Sequence, residues 1–173
     1  VLKNAMHKFI DSNDFNGYLP SIGLPSAREA IATYSSREGF PVDSDDVVIA
    51  SGCSGAVELV ISALVNDGDN ILVPNPGFPL YQVIAESLGA QVKHYPLLSN
   101  KRWECDLNEM DKLIDNNTKA ILINNPSNPC GANYSAKHLT DIAAIARKHN
   151  LPIIADEIYA GIVFDGVFTA GAV

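Results

Sequence analysis

Apolar and polar positions along the chain change period in a regular way. Leu2, Met6, Phe9 and Ile10 share one helical stripe in the opening ten residues. Glycines and prolines between Asn16 and Pro25 then forbid regular structure. Pro25 or Ser26 opens a helix to about Arg37, with Ala30, Ile31 and Tyr34 at helical spacing. Beyond it, short β-branched runs alternate with helical stretches. Strands are predicted at 46–50, 70–73, 91–95, 119–123 and 152–155, and helices at 56–65, 80–88, 106–114 and 135–149. Asp106 and Glu109 have the spacing of a capping box, and Ile162-Val163-Phe164 reads as a further short strand. This alternation predicts an α/β fold of three layers, α/β/α, around a mostly parallel sheet covered on both faces. No repeat, low-complexity tract or linker divides the chain, so one domain is expected. It opens in mid-helix on Val1 and stops at Ala170-Gly171-Ala172-Val173 without a closing element, and so reads as part of a larger protein.

Composition narrows the function. A hydrophobic fraction of 47% over 173 residues suits a globular domain with a real core. The net charge of −8 argues against a partner nucleic acid, whose backbone demands clustered Lys and Arg, and equally against an anionic membrane. Every apolar run is too short to span a bilayer. The 3 cysteines, Cys53, Cys105 and Cys130, lack metal-ligand spacing and read as reduced thiols of a cytoplasmic protein. Mitochondrial import stays open, since a leader could precede Val1. His7, His94, His138 and His149 fall on predicted helices or a strand and read as surface residues.

The candidate chemistry lies in four loops, each after a predicted strand, where ligands of such sheets gather. In Ser51-Gly52-Cys53-Ser54-Gly55, small residues let backbone N–H groups close on an anion at a helix N-terminus, with the Ser54 hydroxyl beside them. A tight turn with Ser54 as helix cap is an equal alternative, and the spacing matches no nucleotide-binding glycine motif. The proline-rich turn 74–79 fixes Phe78 where its face could stack on a flat ring, unless Phe78 and Tyr81 only pack the next helix. Two Asn-Pro steps in 124–131 aim their amides predictably, so Asn128 could donate to an oxyanion or merely close an Asx turn. Finally, Asp156 ends an apolar run and could hold a heteroaromatic nitrogen protonated, while Tyr159 could donate to a phenolate. The alternative is that Asp156 or Glu157 caps the next segment or binds a metal, although His and Cys ligands are missing nearby. One ligand meets all four demands: pyridoxal 5'-phosphate, with a phosphate, a flat ring, a phenolic oxygen and a ring nitrogen that must stay protonated.

The stretches NGYLPSIG (16–23), SGCSGA (51–56), VPNPGFPLY (73–81), NNPSNPCG (124–131) and ADEIYAGIVF (155–164) together resemble the class I aminotransferases of pyridoxal-phosphate fold type I, above all the tyrosine aminotransferases. The resemblance covers nearly the whole chain in order. It implies that residues 1–173 are a partial large, cofactor-binding domain, with the remainder and the small domain outside the chain. Asp156 would pair with the pyridine nitrogen, Asn128 and Tyr159 with the phenolic oxygen, and Phe78 with the ring face. Gly52, Cys53 and Ser54 match the phosphate loop. Tyr18 matches a tyrosine that reaches the cofactor phosphate of the partner subunit, which implies a homodimer. Glu157 is expected to point away. The family's cofactor-linking lysine and the arginine for the substrate carboxylate lie further along and are not matched by any residue here. The implied activity is transfer of the amino group of a tyrosine-like amino acid to 2-oxoglutarate, a 2-oxo acid, with the 173-residue chain alone inactive. The rival readings are a lyase of the same fold and a noncatalytic regulatory or scaffold module.

Overall fold

The computed structural model describes residues 1–14, 17–164 and 166–171. Asn16 of the first motif and the terminal Ala172 and Val173 lie outside the described residues. The chain forms two compact units, Val1–Ser51 and Gly52–Val173.

The first unit holds helices α1 (Leu2–Ser12) and α2 (Pro25–Ser35). The expected stripe on α1 is present but exposed along its length. On α2 the buried positions are Arg28 and Ala32, whereas Ile31 and Tyr34 face solvent. Arg28 explains the difference: its Nη1 donates to the Ser44 carbonyl (2.6 Å) and pairs with Asp45 Oδ1 (3.3 Å). The strand expected at 46–50 does not form. Ser44–Asp46 is instead a 3-10 turn, in which Asp43 accepts from the Asp45 N–H (2.9 Å) and Asp46 accepts from the Asp43 N–H (3.1 Å). Short acidic side chains compete for the backbone in this way and take Asp46 out of the predicted run. Ile49 N–H reaches across to the Ile22 carbonyl at 3.0 Å.

The second unit carries the sheet. Its strands are β1 (Asn70–Asn75), β2 (Gln91–Leu98), β3 (Glu104–Cys105), β4 (Thr118–Asn124) and β5 (Ile153–Asp156), in the order β3-β2-β1-β4-β5. Pairing is parallel except for the short antiparallel edge β3, which the periodicity does not foretell. Four helices pack on it: α3 (Gly52–Leu64), α4 (Leu80–Ser87), α5 (Leu107–Leu113) and α6 (Ala136–Lys148).

Alternation within the strands builds two cores. Ile71, Val73, Ala120, Leu122 and Ile154 face Val57 and Ile61 of α3 and Tyr81 and Ile84 of α4. Leu72, Ile121 and Ile123 turn the other way, toward Met110 of α5 and Leu139 and Ile142 of α6. Each such fully buried aliphatic side chain contributes about 1.5–3 kcal/mol, so both helical layers are held firmly. The three-layer α/β/α architecture is as expected.

Local signals hold with corrections. Asp106 caps α5 by accepting from the N–H groups of Asn108 (3.0 Å) and Glu109 (3.2 Å), but Glu109 turns outward to Lys112 instead of closing a capping box. His138 is not a surface residue. It is buried on α6, and its Nε2 accepts from the Cys105 N–H at 3.1 Å, which ties α6 to the edge strand. Residues 162–164 form no strand: a turn at 157–162, closed by Ala160 N–H to Glu157 O and Ile162 N–H to Tyr159 O, carries them away from β5 with Phe164 exposed.

Candidate active site

Two strand ends and two helix starts of the second unit converge on one cavity of about 290 Å³. Its lining includes Cys53, Ser54, Phe78, Tyr81, Asn124, Asn128, Asp156 and Tyr159. Six of the eight site residues expected from the sequence are thus brought together. Gly52 is not in the lining. It is the first residue of α3 and has φ of 73°, a left-handed conformation that glycine adopts without strain. Tyr18 belongs to the first unit, where its side chain is fully exposed.

The helix starts come first. α3 begins four residues earlier than periodicity predicts, so Cys53 and Ser54 sit in its first turn. The N–H groups of a first turn have no intrahelical acceptor, and the helix dipole favours an anion there. Before α4 the chain doubles back through Gly77, where a Cβ would collide with the Pro74 carbonyl. That reversal presents Phe78, 40% exposed, to the cavity. Tyr81 is only 1% exposed and meets Phe78 edge to face, with centroids 5.9 Å apart at 77°. The Tyr81 ring is therefore packed away, while Phe78 keeps a face free.

The strand ends supply the polar groups. Asp156 is the last residue of β5, in register with Asn124 of β4. Its backbone carbonyl accepts from Asn125 N–H (3.0 Å) and Asn124 Nδ2 (3.2 Å), and Asn124 Oδ1 accepts from Asn128 N–H (2.6 Å). The Asn-Pro loop is thus locked to the end of β5 by its own amides, and Asn128 itself lines the cavity. The Asp156 carboxylate is buried, with its Oδ2 accepting from Tyr81 OH at 2.7 Å. Its Oδ1 accepts from Ile158 N–H at 3.1 Å and from the Cys53 thiol at 3.4 Å. Glu157 turns elsewhere and accepts from Gly171 N–H.

These contacts set the chemistry of the donors. Burial, with the Asp156 carboxylate beside it, pushes the Tyr81 phenol well above its ordinary range, so the hydroxyl keeps its proton. Burial raises the Cys53 thiol to about 11, again with Asp156 contributing. The cavity therefore offers one buried acid, two neutral donors fixed on it, an exposed aromatic face and a half-exposed phenol, Tyr159. Tyr81 and Asn124 are site residues the sequence reading misses. The signal for Tyr81 is a tyrosine on an apolar helical face, because a buried phenol needs a partner. Among the described residues no three His, Cys, Asp or Glu side chains are placed to share a metal ion.

Comparison with known proteins decides the family. The family model for aminotransferase class I and II matches residues 1–172. The chain belongs to the class I and II aminotransferases. It is 51% identical over 160 residues to tyrosine aminotransferase of Bos taurus, covering 92% of this chain and 36% of that protein. Tyrosine aminotransferase of Dictyostelium discoideum is 54% identical over 155 residues, with 90% and 37% covered. The crystal structure of tyrosine aminotransferase from Leishmania infantum superposes with a TM-score of 0.94 at 40% identity, over 99% of this chain and 48% of that one. The fold is that of the fold type I enzymes, and the chain spans about a third of the length of these curated relatives. Aminotransferases of this family generally depend on pyridoxal phosphate, act on amino and keto acids and are typically dimeric. Among the described residues, no helix is long and apolar enough to cross a membrane.

Proposed function

We propose that this chain is the large, cofactor-binding part of a pyridoxal-phosphate aminotransferase that moves the amino group of a tyrosine-like aromatic amino acid to 2-oxoglutarate. The observation that carries the reading is the convergence of Asp156, Asn128, Tyr159, Phe78 and the first turn of α3 on one cavity. That donor set fits the cofactor group by group. Asp156 would hold the ring nitrogen, Tyr159 and Asn128 the phenolic oxygen, Phe78 the ring face, and Gly52, Cys53 and Ser54 the phosphate at the start of α3.

When bound, pyridoxal phosphate supplies an electron sink for charge that develops at the amino-acid α-carbon. The protein's share is electrostatic. A carboxylate at Asp156, fixed by three donors, would favour a protonated ring nitrogen over a neutral one. Tyr159 and Asn128 orient and stabilise a phenolate oxygen, and Phe78 excludes water from one face. No lysine lines the cavity among the described residues. The family resemblance assigns the covalent link to the cofactor and the substrate proton transfer to a lysine, and the substrate carboxylate to an arginine, neither of which is matched by a residue here. Residues 1–173 alone are expected to bind the cofactor weakly and without turnover, and an imine absorbance band surviving dialysis of that chain would contradict this.

The exposed Tyr18 suits a reach into the cofactor phosphate site of a partner subunit in a homodimer, and a cytoplasmic location accompanies the reading. The test is an assay of the full-length protein with tyrosine and 2-oxoglutarate. Glutamate formation that requires both substrates supports an aminotransferase. Oxo-acid release without an acceptor indicates a lyase, and absence of both with no cofactor bound indicates a noncatalytic module.

A further inference from the structure

Cys53 lies in the first turn of α3 and Asp156 ends β5, yet the thiol stands 3.4 Å from Asp156 Oδ1 across 103 residues of sequence. Both line the same cavity. A carboxylate accepts and never donates when ionised, and its plane is fixed only if donors meet both oxygens. Here Tyr81 meets Oδ2 from α4, while Ile158 N–H and the Cys53 thiol meet Oδ1. The Ile158 contact comes from the loop that Asp156 itself begins, so among the described residues it is Cys53 that ties that oxygen to another element.

We propose that Cys53 is a positioning residue for Asp156, its side chain fixing the plane of the carboxylate from the first turn of α3 so that the phosphate end and the ring-nitrogen end of the site are set as one unit. The inference rests on the cofactor reading above and refines it, since there Cys53 served the phosphate only through its backbone. The chemistry of the thiol agrees. A nucleophilic or metal-binding cysteine needs a lowered pKa, whereas this one is pushed up to about 11 and keeps the hydrogen it donates.

The first measurement needs no cofactor. In the full-length protein, the rate of Cys53 alkylation by iodoacetamide, resolved by mass spectrometry, is followed against pH. The wild type should show a midpoint near 11. Asp156→Asn removes the charge but keeps the burial and an amide oxygen that can still accept, so the midpoint should fall by about one unit and the rate at pH 8 rise about tenfold. A wild-type midpoint in the ordinary thiol range, or an unmoved midpoint in Asp156→Asn, overturns the pairing.

The second measurement is pyridoxal phosphate affinity by titration. Cys53→Ala should weaken it about fivefold or more, the scale of one hydrogen bond to a charged group, whereas Cys53→Ser should restore it to within about twofold. Equal affinity in Cys53→Ala and wild type overturns the positioning role. If the wild type binds no pyridoxal phosphate, the cofactor reading fails, and the alkylation profile alone decides whether Cys53 holds Asp156.

Discussion

The hydroxyl of Tyr81 donates to Asp156 Oδ2 at 2.7 Å, and both residues are buried. A phenol from the helix layer thus anchors the carboxylate that ends β5. Tyr81→Phe removes the hydroxyl and leaves the ring packing against Phe78 intact, so the change isolates one hydrogen bond to a charged group. The expected loss of stability is about 2 kcal/mol, measured by urea denaturation of the full-length protein, together with weaker pyridoxal phosphate binding. Unchanged stability and unchanged affinity would show that the contact is incidental.

His138 makes a second prediction, for mild acid. Burial holds its pKa below the ordinary histidine value, with Glu104 and Asp141 opposing and Lys137 assisting. The neutral ring is required, because Nε2 accepts from the Cys105 N–H. A group with a lowered pKa in the fold favours unfolding once the unfolded chain begins to take up its proton. Stability should therefore decline as pH falls from about 6.5. His138→Gln, which offers an acceptor that does not titrate there, should flatten that decline in a pH series of denaturation midpoints.

Asp115 acts lower on the pH scale. Its carboxylate receives Lys93 Nζ (2.5 Å), Asn70 Nδ2 (2.9 Å) and the Asn117 N–H (2.9 Å), and these contacts hold its pKa well below the usual carboxylate range. The contribution is present above the unfolded pKa of about 3.9 and is lost as pH falls toward the folded value. Asp115→Asn should therefore be less stable than wild type at pH 7, and the gap should narrow progressively below about pH 4. A gap independent of pH would mean that the carboxylate charge contributes nothing.

How far the sequence reveals this molecule depends on the range of the interactions involved. Runs such as Ile121-Leu122-Ile123 and the Asp106 cap are dictated locally, so β4 and α5 are legible, as are the glycine- and proline-marked turns that carry Phe78 and Asn128. Residues 46–50 mislead because the Asp43-Ser44-Asp45-Asp46 cluster satisfies its own backbone, an outcome apolar periodicity does not register. His138 misleads because its partner, the Cys105 N–H, lies on a two-residue edge strand too short to carry a pattern. The site was legible as a set of loops. What the sequence withholds is how its members are joined: Tyr81 and Cys53 reach Asp156 from helices 75 and 103 residues away.

The most direct measurement is turnover of Asp156→Asn in the full-length protein, with tyrosine as donor and 2-oxoglutarate as acceptor. If Asp156 keeps the ring nitrogen protonated, cofactor binding should persist in part while kcat falls by at least about a hundredfold, the scale of losing one charge-stabilising group at a reacting centre. Turnover within about twofold of wild type, on that same scale, would contradict the assignment of Asp156 and with it the proposed reading of the site.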